Sequence, residues 1–157
     1  MEKDTSTNVP AVAPYAQTHN QSQAVQWPNG ATMQVLAMGP QTENAVGFME
    51  STYPPGTGFP MHIHHNEHET LYILEGKLLF VAGEDFRVEA EPGTFLFGPR
   101  GIAHGFRAVG SVPTRLVESF LPAGLEKFFS SLDEMKDMDP ARMKAMYNLE
   151  VVGPIPE

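Results

Sequence analysis

Cysteine is absent from the 157 residues. That removes disulfides, zinc ribbons, thiolate-held clusters and cysteine nucleophiles together. Any bound metal must then be held by histidine and carboxylate, and the chain is compatible with a reducing cytosol. Long apolar runs are missing too, since 14 Gly and 14 Pro interrupt the hydrophobic stretches well before the ~20 residues that a membrane helix needs. The start, Met1-Glu2-Lys3-Asp4-Thr5, shows no basic segment followed by an apolar one. A secretory signal is therefore not expected, and a cytoplasmic location is. Positive charge is scarce: 10 Lys and Arg stand against 19 Asp and Glu, a formal charge of −9. Such a surface repels phosphate backbones, and no basic stripe offsets it, so nucleic acid and anionic membranes are not expected partners. A glycine-rich phosphate loop, a G-x-S-x-G elbow and internal repeats are likewise missing.

Residues 1–22 are rich in Thr, Asn, Gln, Ser and Ala without an apolar period, and read as a polar N-terminal arm. The domain proper is expected over residues 23–157. Short β-type runs follow, separated by Gly, Pro and Asn signals: Gln34 to Ala37, Ala45 to Tyr53, Leu71 to Leu74, Lys77 to Val81, Phe86 to Ala90, Phe95 to Phe97 and Arg115 to Leu121. Tight reversals fit at Gly76 and at Gly83-Glu84-Asp85, and longer turns at Pro54-Pro55-Gly56 and Pro99-Arg100-Gly101. The pattern is that of an all-β sandwich or barrel. Beyond Pro122 the period changes, with Leu125, Phe128, Phe129 and Leu132 at helical spacing and Asp139-Pro140 as a cap followed by proline. Two short C-terminal helices are expected, near residues 124–132 and 140–147.

Four of the six histidines fall in Met61-His62-Ile63-His64-His65-Asn66-Glu67-His68-Glu69. On a strand, residues two apart share a face, so His62 and His64 project together and Ile63 away. Burying two imidazoles and a nearby carboxylate, Glu69, costs several kcal/mol each if they stay unpaired. A shared cation is the simplest partner. His104, just beyond Pro99-Arg100-Gly101, completes three nitrogens and one oxygen if its strand faces the same interior. Such a set admits one divalent transition-metal ion, Fe, Mn, Ni, Co, Cu or Zn, with coordination positions left open. By parity, His65 and His68 point outward. The segment His64-His65-Asn66-Glu67-His68 spells H-x-x-E-H, but that protease signature works only on a helix, and a strand is expected here.

These residues resemble the cupin superfamily. Gly56, His62, His64, Glu69 and Gly76 meet every spacing of its first motif, and Gly93, Pro99, Gly101 and His104 meet its second, with Ala108 in place of the final Asn. The sixteen residues between the motifs and the flanking segments are similar to bacterial single-domain cupins of the quercetin-2,3-dioxygenase-like type. The resemblance implies an all-β, jelly-roll or double-stranded β-helix barrel with short C-terminal helices. It also implies His62, His64, Glu69 and His104 as metal ligands, Glu69 as the catalytic base, and a homodimer. The activity it implies is metal-dependent dioxygenation of a small, electron-rich, aromatic or flavonoid-like organic molecule. Related cupins are non-oxidative isomerases, cyclases or lyases, or bind small ligands without catalysis.

Phe48, Met49, Phe59, Met61, Phe95, Phe97, Phe106 and Phe120 are mostly expected to fill the barrel. Phe48 and Met49 are adjacent on one strand, so only one can face inward, and Phe48 is taken as that residue. Phe106 shares parity with His104. Phe48, Phe59, Phe106 and Phe120 are the expected walls of an apolar substrate pocket.

Overall fold

The computed structural model describes residues 12–131 and 139–157. Within them the strands are β1 (Ala24–Gln26), β2 (Thr32–Ala37), β3 (Gly47–Tyr53), β4 (Gly58–His64), β5 (His68–Glu75) and β6 (Lys77–Ala82). They continue as β7 (Phe86–Ala90), β8 (Phe95–Gly98), β9 (His104–Val109), β10 (Thr114–Leu121) and β11 (Leu149–Val151). Two short helices, α1 (Glu126–Ser130) and α2 (Pro140–Tyr147), follow β10. No described helix is long and apolar enough to cross a membrane.

The strands form a six-stranded sheet, β1-β2-β3-β10-β5-β8, and a five-stranded sheet, β11-β4-β9-β6-β7. Every pairing is antiparallel, and the architecture is the expected jelly-roll barrel. Period-two alternation decides which side chains enter it. Along β3, Met49, Ser51 and Tyr53 are buried while Phe48, Glu50 and Thr52 are half-exposed. Along β10, Leu116, Glu118 and Phe120 face the interior. Each large apolar side chain so buried contributes about 1.5–3 kcal/mol. The β5–β6 reversal turns at Gly76, whose φ is +77° and where a Cβ would fall 2.5 Å from the Pro113 carbonyl. Only glycine satisfies both conditions.

Three expectations need correction. Met49, not Phe48, points inward, because the register that pairs Val35 with Met49 puts the even-numbered residues of β3 on the outer face. Phe95 and Phe97 are outward and exposed, 62% and 49%, with Leu96 buried between them. The apolar triplet therefore reads as a strand that alternates, and only its central residue reaches the core. Met61 is half-buried beside the C-terminal tail, its N–H bonded to the Pro154 carbonyl at 3.0 Å.

The C-terminal segment closes the barrel. Leu125, Phe128 and Phe129 of the α1 region are buried, and Phe129 stacks on Trp27 with ring centroids 5.4 Å apart. Leu132 lies outside the described residues. Asp139 caps α2 by accepting from the Ala141 N–H at 3.0 Å, with Pro140 at the first helical position. Beyond α2, β11 pairs with β4, setting Leu149 opposite His64 and Val151 opposite His62. The tail thus backs the strand that carries two candidate ligands. Residues 19–22 of the polar arm lie along β2 and β3: the Gln34 side chain donates to the His19 carbonyl at 2.6 Å, Ser22 donates to the Val35 carbonyl, and His19 pairs with Glu50 at 3.0 Å.

Candidate metal centre

His62 and His64 come from β4, Glu69 from the second position of β5, and His104 from the start of β9, where it sits directly across from His62. One ligand atom from each of the four lies within 4.8 Å of all the others. His104 Nε2 and Glu69 Oε2 are 2.7 Å apart, His62 and His64 Nε2 atoms 2.9 Å, and His64 Nε2 and Glu69 Oε2 3.3 Å. None of the four is more than 2% exposed. The surroundings enforce this convergence. His62 Nδ1–H donates to the Pro60 carbonyl at 2.6 Å and His104 Nδ1–H to the Ile102 carbonyl at 3.0 Å, which turns both Nε2 lone pairs toward the common point. Gly98 leaves room for His104: a Cβ there would lie 3.0 Å from the imidazole. Three imidazole nitrogens and one carboxylate oxygen, buried and aimed at one point, fit a divalent transition-metal ion.

Electrostatics are uneven across the cluster. Burial lowers His62 to about 4. Burial pulls His64 down as well, but the Glu67 and Glu69 carboxylates outweigh it and lift this imidazole to about 9. Desolvation raises Glu69, yet hydrogen bonds from His104, His62 and His64 hold it well below the usual carboxylate range. Glu69 is therefore an anion and His62 a ready neutral ligand at neutral pH, whereas His64 must give up a proton to a cation.

His65 and His68 behave as parity predicts. His65 is exposed and pairs with Glu150 at 2.8 Å, and His68 accepts from the Arg100 N–H at 3.0 Å outside the cluster. The aromatic walls divide. Phe59 packs on His62, centroids 4.7 Å apart, and Phe120 lies 6.0 Å from His64. Simple alternation would set Phe59 opposite His62. A bulge places one extra residue of β4 against β9 between Phe59 and His62, so both face inward. Phe106 is buried but packs edge-on to Tyr53 at 5.1 Å. Phe48 lies outside the barrel, and Phe80, which sequence reasoning missed, sits 5.9 Å from His104.

A buried polar group beside the cluster was also missed. Tyr53 donates to Glu118 Oε1 at 3.1 Å, with Ser51 buried on the same strand face. Burial and then the Glu69 charge push the Glu118 carboxyl up to about 8, so it is largely neutral at pH 7. Parity held the signal: Glu118 is two residues from Phe120 on β10, and Tyr53 shares the inward face with Met49. A groove of about 360 Å³ opens nearby, lined by Asn66, Glu67, Gly124, Lys127 and others, and reaches the cluster through Glu67.

Residues 49–120 match the family model described as the cupin domain. Quercetin 2,3-dioxygenase of Bacillus subtilis is 29% identical over 101 residues, which are 64% of this chain and 29% of that protein. The chain thus spans less than a third of this relative's length. Among solved structures, an RmlC-like cupin from Shewanella frigidimarina superposes with a TM-score of 0.63 at 16% identity, covering 75% of this chain and 99% of the other. Pac13, a Streptomyces nucleoside dehydratase, superposes with a TM-score of 0.63 at 14% identity over 92% of this chain and 95% of its own. At these identities the two structures speak for the shared barrel alone.

Proposed function

Taking the chain as a member of the cupin superfamily, we propose that it is a metal-dependent dioxygenase acting on a small, electron-rich organic molecule. The observation that carries this reading is the buried set of three histidines and one glutamate, walled on two sides by Phe59 and Phe120. The similarity to the Bacillus subtilis quercetin 2,3-dioxygenase supports it. When bound, a divalent transition metal would supply Lewis acidity to the substrate oxygen and, if it is a redox-active ion such as Fe, Mn or Cu rather than Zn, a partner for dioxygen. His62, His64 and His104 would hold the ion. Glu69, kept anionic in a dry site, is placed to take the proton of a substrate hydroxyl. Phe59 and Phe120 would exclude water and present flat apolar faces to an aromatic substrate.

The test is oxygen uptake with a panel of flavonols and related enols under air. Uptake matched to product is expected, with both oxygen atoms entering the product. Glu69→Gln is expected to keep most of its metal while losing turnover by at least about 10²-fold. A fully active Glu69→Gln protein would remove the assigned base. Product formed under strict anaerobiosis would instead establish a non-oxidative isomerase, cyclase or lyase. One observation favours that second reading: anionic Glu69 and neutral Glu118 are two carboxyl groups driven apart in acidity, as paired base and acid catalysis requires.

A further inference from the structure

A histidine that binds a metal through Nε2 needs an acceptor for its Nδ1–H, because that bond fixes both tautomer and ring orientation. Backbone carbonyls provide it for His62 and His104. His64 has no such carbonyl. Its Nε2 faces the cluster, and its Nδ1 is buried without a hydrogen-bond partner. Facing that nitrogen at 3.6 Å is Glu67 Oε2, an oxygen equally buried and equally unpartnered, on a side chain only 6% exposed. A carboxylate rarely stays buried and unpaired, so two unsatisfied groups turned toward each other mark an interaction that a small rotation would complete.

From this juxtaposition we infer that Glu67 is the outer partner of the metal centre: it accepts the Nδ1–H of His64, presents Nε2 to the cation, and places a second negative charge beside a divalent ion. Glu67 occupies one of the four positions between His64 and Glu69 that the first motif leaves open. The role is one of positioning, since Glu67 acts through His64, and the inference rests on the metal-site reading above.

The experiment titrates the full-length, chelator-stripped chain with Zn²⁺ alone by calorimetry. Two-bond ¹H–¹⁵N spectra of the zinc-loaded protein then read the His64 tautomer directly. Glu67→Ala is expected to weaken Zn²⁺ binding by about 10- to 100-fold. Glu67→Gln, which keeps the shape and an acceptor oxygen but not the charge, should fall between the parent and Glu67→Ala, and it carries the test if the alanine variant does not fold. Glu150→Gln removes the carboxylate that pairs with the neighbouring His65 and is expected to leave affinity unchanged. In the zinc-loaded parent, His64 should show a protonated Nδ1 and a metal-bound Nε2, with the Nδ1 proton exchanging faster in Glu67→Ala. Both Glu67 variants binding Zn²⁺ within about twofold of the parent, or a His64 bound through Nδ1, would overturn the inference while leaving the metal-site reading intact. A parent that binds no Zn²⁺ would overturn both.

Discussion

Glu118 has an ordinary carboxyl acidity of 4.5 in an unfolded chain, yet in the folded barrel it stays protonated up to about 8. A group whose pKa is raised by folding stabilises the fold below its unfolded value, and that stability is lost as pH climbs through the folded value. His64, lifted from 6.5 to about 9, works in the same direction. His62, lowered to about 4, changes stability only on the acid side. Between pH 7 and 9 the metal-free protein should therefore lose stability. Glu118→Gln, which retains an acceptor for Tyr53, should lose less, by about 1 kcal/mol between pH 7 and pH 9. Thermal melts of the chelated proteins across that range check this, and parallel melting curves would show that Glu118 is not held neutral. At this scale the sequence exposed the ligands readily, because His62, His64, Glu69 and His104 stand in fixed-spacing motifs. Glu67 and Glu118 carry no motif. The first lies in a turn where parity says nothing, and the second shares the inward parity of Phe120 on β10, a signal that places it inside without naming its chemistry.

At the scale of elements, strands of four residues and more were legible and the three-residue ones were not. β3 and β10 announce themselves over seven and eight residues, whereas β1 and β11 span three each, too few to show a period. Adjacent apolar pairs such as Phe48-Met49 left the phase of β3 open, and the bulge in β4 broke the parity that would have placed Phe59. β11 matters despite its length, because it backs the His62 and His64 strand. Leu149, opposite His64 and 1% exposed, anchors it. Leu149→Ala is predicted to cost about 2–5 kcal/mol in urea denaturation. A loss under about 1 kcal/mol would mean that the tail is not packed against β4 in solution.

For the molecule as a whole, an acidic, cysteine-free chain closes a jelly-roll barrel around a buried polar cluster. The apolar interior makes each unpaired imidazole or carboxylate expensive, and the chain nonetheless brings four such groups to one point, with backbone carbonyls that turn the His62 and His104 lone pairs inward. A bound cation accounts for that arrangement, and all of the proposed chemistry depends on it. The most direct measurement is metal content per chain after the protein has been offered a mixture of Fe, Mn, Ni, Co, Cu and Zn ions and desalted, compared with a His62→Ala/His104→Ala variant. About one ion per chain in the parent and close to none in the variant is the predicted result. A parent that retains no metal, or a double variant that retains as much as the parent, would contradict the assignment.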